Sequence, residues 1–135
     1  MKNAITLTIF KCDTPNKNNR IYPYYLMKKE LSKAYIRDCT DNNCLLCYIK
    51  NEEQDYSISN VVGYISKFTF SDKNKTIKAT IKFLNTPMGE SVKNLVNKGR
   101  KIYLYPNGIG EVEQSIKGYE RITSYELLNF LMEVL

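Results

Sequence analysis

Leu84 to Val112 reads LNTPMGESVKNLVNKGRKIYLYPNGIGEV, and the reading of this stretch decides the fold class. It predicts the end of a strand, a short helix, and a second strand running into a glycine turn. Thr86 is suited to cap the helix and Pro87 to its first position, while Val92, Leu95 and Val96 share one face. Gly99 stops the helix, because glycine accepts the left-handed geometry of a helix end. Ile102 and Leu104 then alternate with Tyr103 and Tyr105 as in a strand, and Asn107-Gly108-Ile109-Gly110 supplies a turn.

Upstream, Ile77, Ala79, Ile81 and Phe83 alternate with Lys78, Thr80 and Lys82, a half-buried strand. Val62, Tyr64, Phe68 and Phe70 mark a preceding strand within Ser57 to Phe70, and the turn at Ser71 to Asn74 makes the two a hairpin. Asn3 to Cys12 is a strand carrying Ile5, Leu7 and Ile9 on one side. After a polar loop, a helix is expected from Pro23 to Ile36, burying Leu26, Met27, Leu31, Ala34 and Tyr35. Residues 38–56 read as a loop or insertion, and Glu111 to Ile116 as a further strand. At the C-terminus, Thr123-x-x-Glu126 resembles a capping box. Leu127, Leu128, Leu131 and Val134 fit a helical face, so a helix is the preferred reading there and a strand the alternative. No internal repeat is visible, and periodicity alone supports a mixed α+β class.

The chain has 135 residues, of which 43% are hydrophobic and 25% charged, which suits a single domain over 1–135 with its own core. No apolar run approaches the roughly 20 residues that span a bilayer. Thr6, Thr8 and Lys11 interrupt the N-terminal apolar stretch and argue against a signal peptide. The net charge of +6 is spread along the chain with no basic run, so the sequence gives no sign of specific nucleic-acid recognition. Of the four cysteines, Cys39, Cys44 and Cys47 have C-x4-C-x2-C spacing. With Cys12 they would make a four-thiolate zinc set; the preferred reading is free thiols, with no metal and no cofactor.

Two separated segments resemble the prohead maturation proteases of tailed phages. Asn16-Lys17-Asn18-Asn19-Arg20-Ile21-Tyr22-Pro23 is similar to that family's Asn-x-Asn-x-Arg-x-Tyr-Pro segment before a helix. Thr86-Pro87-Met88-Gly89 and Gly108-Ile109-Gly110 match its Thr-Pro-x-Gly and Gly-x-Gly turns. The resemblance implies a small, mostly antiparallel, barrel-like β-sheet flanked by two or three helices. It also implies a place in the virion, reached from the host cytoplasm. Where the family has its nucleophilic serine this chain has Tyr105-Pro106-Asn107, and its histidine position falls in Val61 to Tyr64.

The chain contains no histidine, the usual base beside a serine or cysteine nucleophile. Ser66 with Lys67, or Ser91 with Lys93, reads more simply as surface than as a catalytic pair. The expectation is therefore a chain that is not an enzyme: an inactive relative, auxiliary to or decorating the capsid. The major capsid protein or another phage structural protein would be its partner. The contact residues expected are Tyr103, Tyr105, Pro106 and Asn107, because tyrosine, present 11 times, is favoured at interfaces. The alternatives are a maturation protease with an atypical catalytic group and a small zinc-stabilised binding module.

Overall fold

The computed structural model describes residues 3–115 and 117–135. In chain order it contains β1 (Ala4–Lys11), β2 (Arg20–Ile21), α1 (Tyr24–Leu31), α2 (Ala34–Asp41), β3 (Leu46–Ile49), β4 (Val61–Ser71), β5 (Thr76–Phe83), α3 (Pro87–Asn97), β6 (Ile102–Gln114) and β7 (Glu120–Val134). The fold is α+β: one sheet, curled into a half-barrel, with three helices. The order runs β1-β5-β4-β3-β7, and both β2 and β6 join β7. Neighbours from β1 to β3 are antiparallel, as are β6 and β7, but β3 and β2 run parallel to β7. The sheet is therefore mixed, a correction to the mostly antiparallel expectation that leaves most of its pairs as foreseen.

The curl faces the core inward. Ile65, Ile77, Ala79, Ile81, Phe130 and Met132 from the sheet, with Tyr24 and Met27 from α1, are fully buried there. β5 follows the expected alternation, but β4 corrects it: the bulge at Ser66 puts Ile65, Phe68 and Phe70 on the core side, opposite Ile81, Ala79 and Ile77, and leaves Tyr64 beside Lys82 on the other side. In α3 the expected signals all operate: the Thr86 hydroxyl accepts from the Gly89 N–H at 3.1 Å, Pro87 opens the helix, and Gly99 closes it at φ 86°.

The asparagine-rich segment is an ordered turn. The Asn16 side-chain carbonyl accepts from the N–H groups of Asn18 and Arg20, at 2.9 and 3.0 Å. This delivers β2 to β7 and sets Tyr22 against Phe10 and Tyr125, with ring centroids 5.0 and 6.1 Å away. The Asp13 carboxylate then accepts from the Tyr24 N–H at 3.0 Å and starts α1.

Four expectations need correction. The helix foreseen from Pro23 to Ile36 is two helices: Ser32 and Lys33 tighten the last turn by donating to Lys29 and Glu30, and Lys33 turns extended at ψ 154°. The break swings Ile36 into the core and leaves Ala34 and Tyr35 exposed. Residues 38–56 are not simply a loop, because they hold the end of α2 and all of β3, which sits between β4 and β7. The strand foreseen from Glu111 belongs to β6, which runs unbroken through Gly108 to Gly110; Ile116 lies outside the described residues. Finally, the C-terminus is strand β7, not helix. Thr123 and Leu128 have no partner in register on β6, so β7 bulges twice, and its buried residues fall at 122, 125, 127, 130 and 132. Steps of three and two in turn imitate helical spacing.

Candidate functional site: the outer face of β6 and β7

Leu104 points into the core, so Tyr103 and Tyr105 on either side of it point outward. Their rings stack with centroids 6.2 Å apart, and Tyr103 is 39% exposed. Across the ladder Tyr103 faces Glu133, Tyr105 faces Leu131 and Asn107 faces Asn129. The Tyr105 hydroxyl donates to Glu133 at 3.3 Å. Glu133 also pairs with Lys50 at 3.5 Å, and the Lys50 ammonium lies 4.7 Å from the centre of the Tyr105 ring. The Asn107 amide donates to the Asn129 carbonyl at 2.9 Å and to the Tyr56 hydroxyl at 3.1 Å, and Tyr56 packs edge-on against Tyr48.

The result is a continuous aromatic and amide surface on β6, β7, β3 and the segment after β3. Burial, with Glu133 alongside, pushes the Tyr105 phenol above its ordinary value, so it stays a neutral donor at physiological pH. Such a surface can stack on side chains and hydrogen-bond to backbone amides. Of the expected contact residues, Tyr103, Tyr105 and Asn107 lie together on it. Pro106 is turned the other way, opposite Phe130. Sequence reasoning missed Lys50, Tyr56, Asn129 and Glu133. The last two would have been found by reading the C-terminus as a strand paired with β6.

The cysteines do not converge. Cys12 follows β1 and Cys47 lies mid-sheet, both buried, apart from half-buried Cys39 and exposed Cys44, which are neighbours: the Cys44 thiol donates to the Cys39 carbonyl at 3.4 Å. Among the described residues no group of three or more histidine, cysteine or acidic side chains could hold a metal ion. Cys47 is the thiol beneath the outer face, between Gly63 and Phe130, and burial raises its pKa strongly. It is an inert core thiol.

The two positions matched to a catalytic pair are not neighbours. Val61 to Tyr64 lies on β4 and Tyr105 to Asn107 on β6, with β3 and β7 between them in the sheet. At about 4.8 Å per strand the path between them along the curled sheet is roughly 14 Å. Val61, Val62 and Gly63 are moreover buried.

No family model matches the chain, and no curated protein matches it significantly. Among solved structures the chain is similar to the capsid assembly protease of bacteriophage T4, with a TM-score of 0.78 and 15% identity. The match covers 95% of this chain and 80% of that one. The likeness is one of fold, and it overturns the expectation that the chain is not an enzyme: the neighbour is a protease. The physical reason is in the sheet order. The two matched positions lie on strands that are not adjacent, and residue identity at them does not decide whether other groups act. The absence of histidine restricts which groups would act, not whether any do.

Proposed function

We propose that this chain acts in phage capsid assembly, in the virion or its precursor, by binding a structural polypeptide of the shell. The partner is foremost the major capsid protein, which the chain joins as an auxiliary or decoration protein. One observation carries the reading: a fold similar to that of a capsid assembly protease presents a stacked, part-exposed tyrosine pair beside an amide cluster. Tyr103, Tyr105 and Asn107 are the contact residues, and Pro106 holds the strand between them. Interface energy concentrates in a few aromatic anchors ringed by polar groups, and this face has that composition.

A second reading, favoured by the same likeness, is peptidase action on the bound polypeptide through groups other than histidine. One experiment separates the two. Purified chain is incubated with assembled shells and with scaffold protein, then co-sedimented and examined by mass spectrometry. Tyr103→Ala or Tyr105→Ala is expected to weaken shell binding by about 2 kcal/mol or more, roughly thirtyfold, with a small change in melting temperature. Unchanged binding with a lower melting temperature would make the rings structural and refute the interface. Cleaved products would establish the second reading.

A further inference from the structure

The pairing of β1, β5 and β4 gathers on one face a charge that the sequence spreads out. Four successive rows cross these strands on the side away from the core. Lys82 lies between Ala4 and Tyr64, and in the next row Lys67 follows Thr6 and Thr80. Lys78 then lies between Thr8 and Thr69, and the last row is Lys11, Thr76 and Ser71. Each row holds one lysine, and none holds a carboxylate. All four lysines are exposed, and among the described residues none of them is in an ion pair. The next strand of the sheet, β3, adds no acidic residue. Asp72, in the turn beyond the last row, is already engaged by Tyr24 and Lys28.

Three features decide what such a face can hold. First, successive rows are two residues apart on β5, about 7 Å, so the lysines form a zigzag about 20 Å long. A line of cations of this kind complements a polymer that carries an anion at every repeat. Second, Lys78 is flanked by the exposed hydroxyls of Thr8 and Thr69, which can donate to phosphate oxygens. Third, half-buried Tyr64 is the only aromatic residue in the four rows. Lysine is depleted and aromatic residues are enriched where proteins meet, so the composition argues against a polypeptide partner. Single-stranded nucleic acid needs several rings on which its bases stack, so it argues for a duplex. The rows contain no arginine, asparagine or glutamine to read base edges.

We infer that the outer face of β1, β5 and β4 binds the phosphate backbone of a nucleic-acid duplex, without reading its sequence, through Lys11, Lys67, Lys78 and Lys82. The inference does not rest on the shell-binding reading, whose contact residues lie on β6. Lysines that neutralise phosphates release the counterions condensed on the duplex, so binding is sequence-independent and falls steeply with salt. The net charge of +6 draws the duplex in from a distance.

The full chain is titrated into a fluorescently labelled DNA duplex of about 20 base pairs, from about 50 to 200 mM salt, and the anisotropy is read. Four phosphate contacts give an expected slope of log affinity against log salt of about −3.6, a weakening of roughly a hundredfold across that range. Lys78→Gln should reduce the slope by about 0.9, and Lys67→Gln with Lys78→Gln and Lys82→Gln should leave about −0.9. Lys29→Gln with Lys98→Gln and Lys117→Gln removes the same charge from exposed positions elsewhere and should leave the slope as it was. Tyr103→Ala should bind the duplex as the parent does. No binding at about 50 mM salt would overturn the inference, as would equal losses from the two triple variants. A preference between two duplexes of unrelated sequence would overturn it by showing base readout. Tighter binding of poly-glutamate than of duplex would make the occupant an acidic polypeptide and overturn it as well. Duplex binding lost with Tyr103→Ala would place the contact on the other face, with the same consequence.

Discussion

The hairpin of β4 and β5 and the hairpin of β6 and β7 solve different problems. The first is short, has one bulge at Ser66, and turns Ile65, Ile77, Ala79, Ile81 and Phe83 inward. Its outer positions on β5 are Lys78 and Lys82. The second has the longest strands of the sheet, 13 and 15 residues, and two bulges. Its inner side completes the core with Leu104, Leu127, Phe130 and Met132, and its outer side carries the aromatic and amide surface. Beyond Gly108 it leaves Ile109 and Val112 in solvent. A bulge re-aims side chains at the cost of regular pairing. The more regular hairpin commits its sequence to the core, and the twice-bulged one divides it between core and contact surface.

The largest expected effect tests that division from the core side. Ile81 is fully buried between β1 and β4. Ile81→Ala should cost about 3 kcal/mol and lower the melting temperature by roughly 10 °C, while shell binding of the folded protein stays as it was. Binding lost below the transition would show that the two hairpins are not separable in function.

Gly108→Ala tests the bulged side and should cost less, about 2 kcal/mol. An added Cβ would stand 2.4 Å from the Tyr125 ring and 2.7 Å from the Glu126 carbonyl oxygen. Tyr125 cannot swing away freely, because it is buried and its ring meets Phe10 and Tyr22 at 6.0 and 6.1 Å. Here stability and shell binding should fall together, since the bulge sets where Asn107 meets Asn129. Calorimetry paired with co-sedimentation reads both. A variant as stable as the parent would mean that the glycine is not required by packing.

This contrast also explains what the sequence made legible. The signals of α3 are local: a capping hydroxyl, a proline and a glycine within one stretch. The alternation of β5 needs no knowledge of its neighbours. Asn16 to Pro23 could be matched as a motif because its order comes from its own side chains. The site's half on β6 was legible for the same reason, as Tyr103 and Tyr105 alternate with a buried Leu104. Its half on β7 was hidden, because two bulges gave the apolar residues helical spacing. β3 was hidden because four residues covered on both edges need no alternation, and the break after Leu31 carries neither glycine nor proline. Function was over-read where residue identity at matched positions stood in for geometry. Strand order, which places β3 and β7 between those positions, is not written in either segment.

The smallest expected effect lies at the tip of the regular hairpin and marks where its stability becomes electrostatic. Asp72, in the turn after β4, accepts from the Tyr24 hydroxyl at 2.5 Å and from Lys28 at 2.9 Å, tying the hairpin to α1. These bonds, the one from Tyr24 first, hold the Asp72 carboxyl below its ordinary value of 3.8. The folded state therefore gives up this proton more readily than the unfolded chain. The stabilisation is complete above 3.8 and is lost as pH falls through the lower, folded value. On the alkaline side, burial and then Asp72 push the Tyr24 phenol up from 10.0 to about 12, so its share is complete below 10.0 and is lost as pH rises through about 12. Asp72→Asn should therefore melt lower than the parent near neutral pH, with the gap narrowing as the pH is taken below 3.8. Asp72 is exposed, so the gap should be a small one. A gap that stays constant across the titration would show that Asp72 acts only as a turn residue. The hairpin would then owe its stability to the core alone.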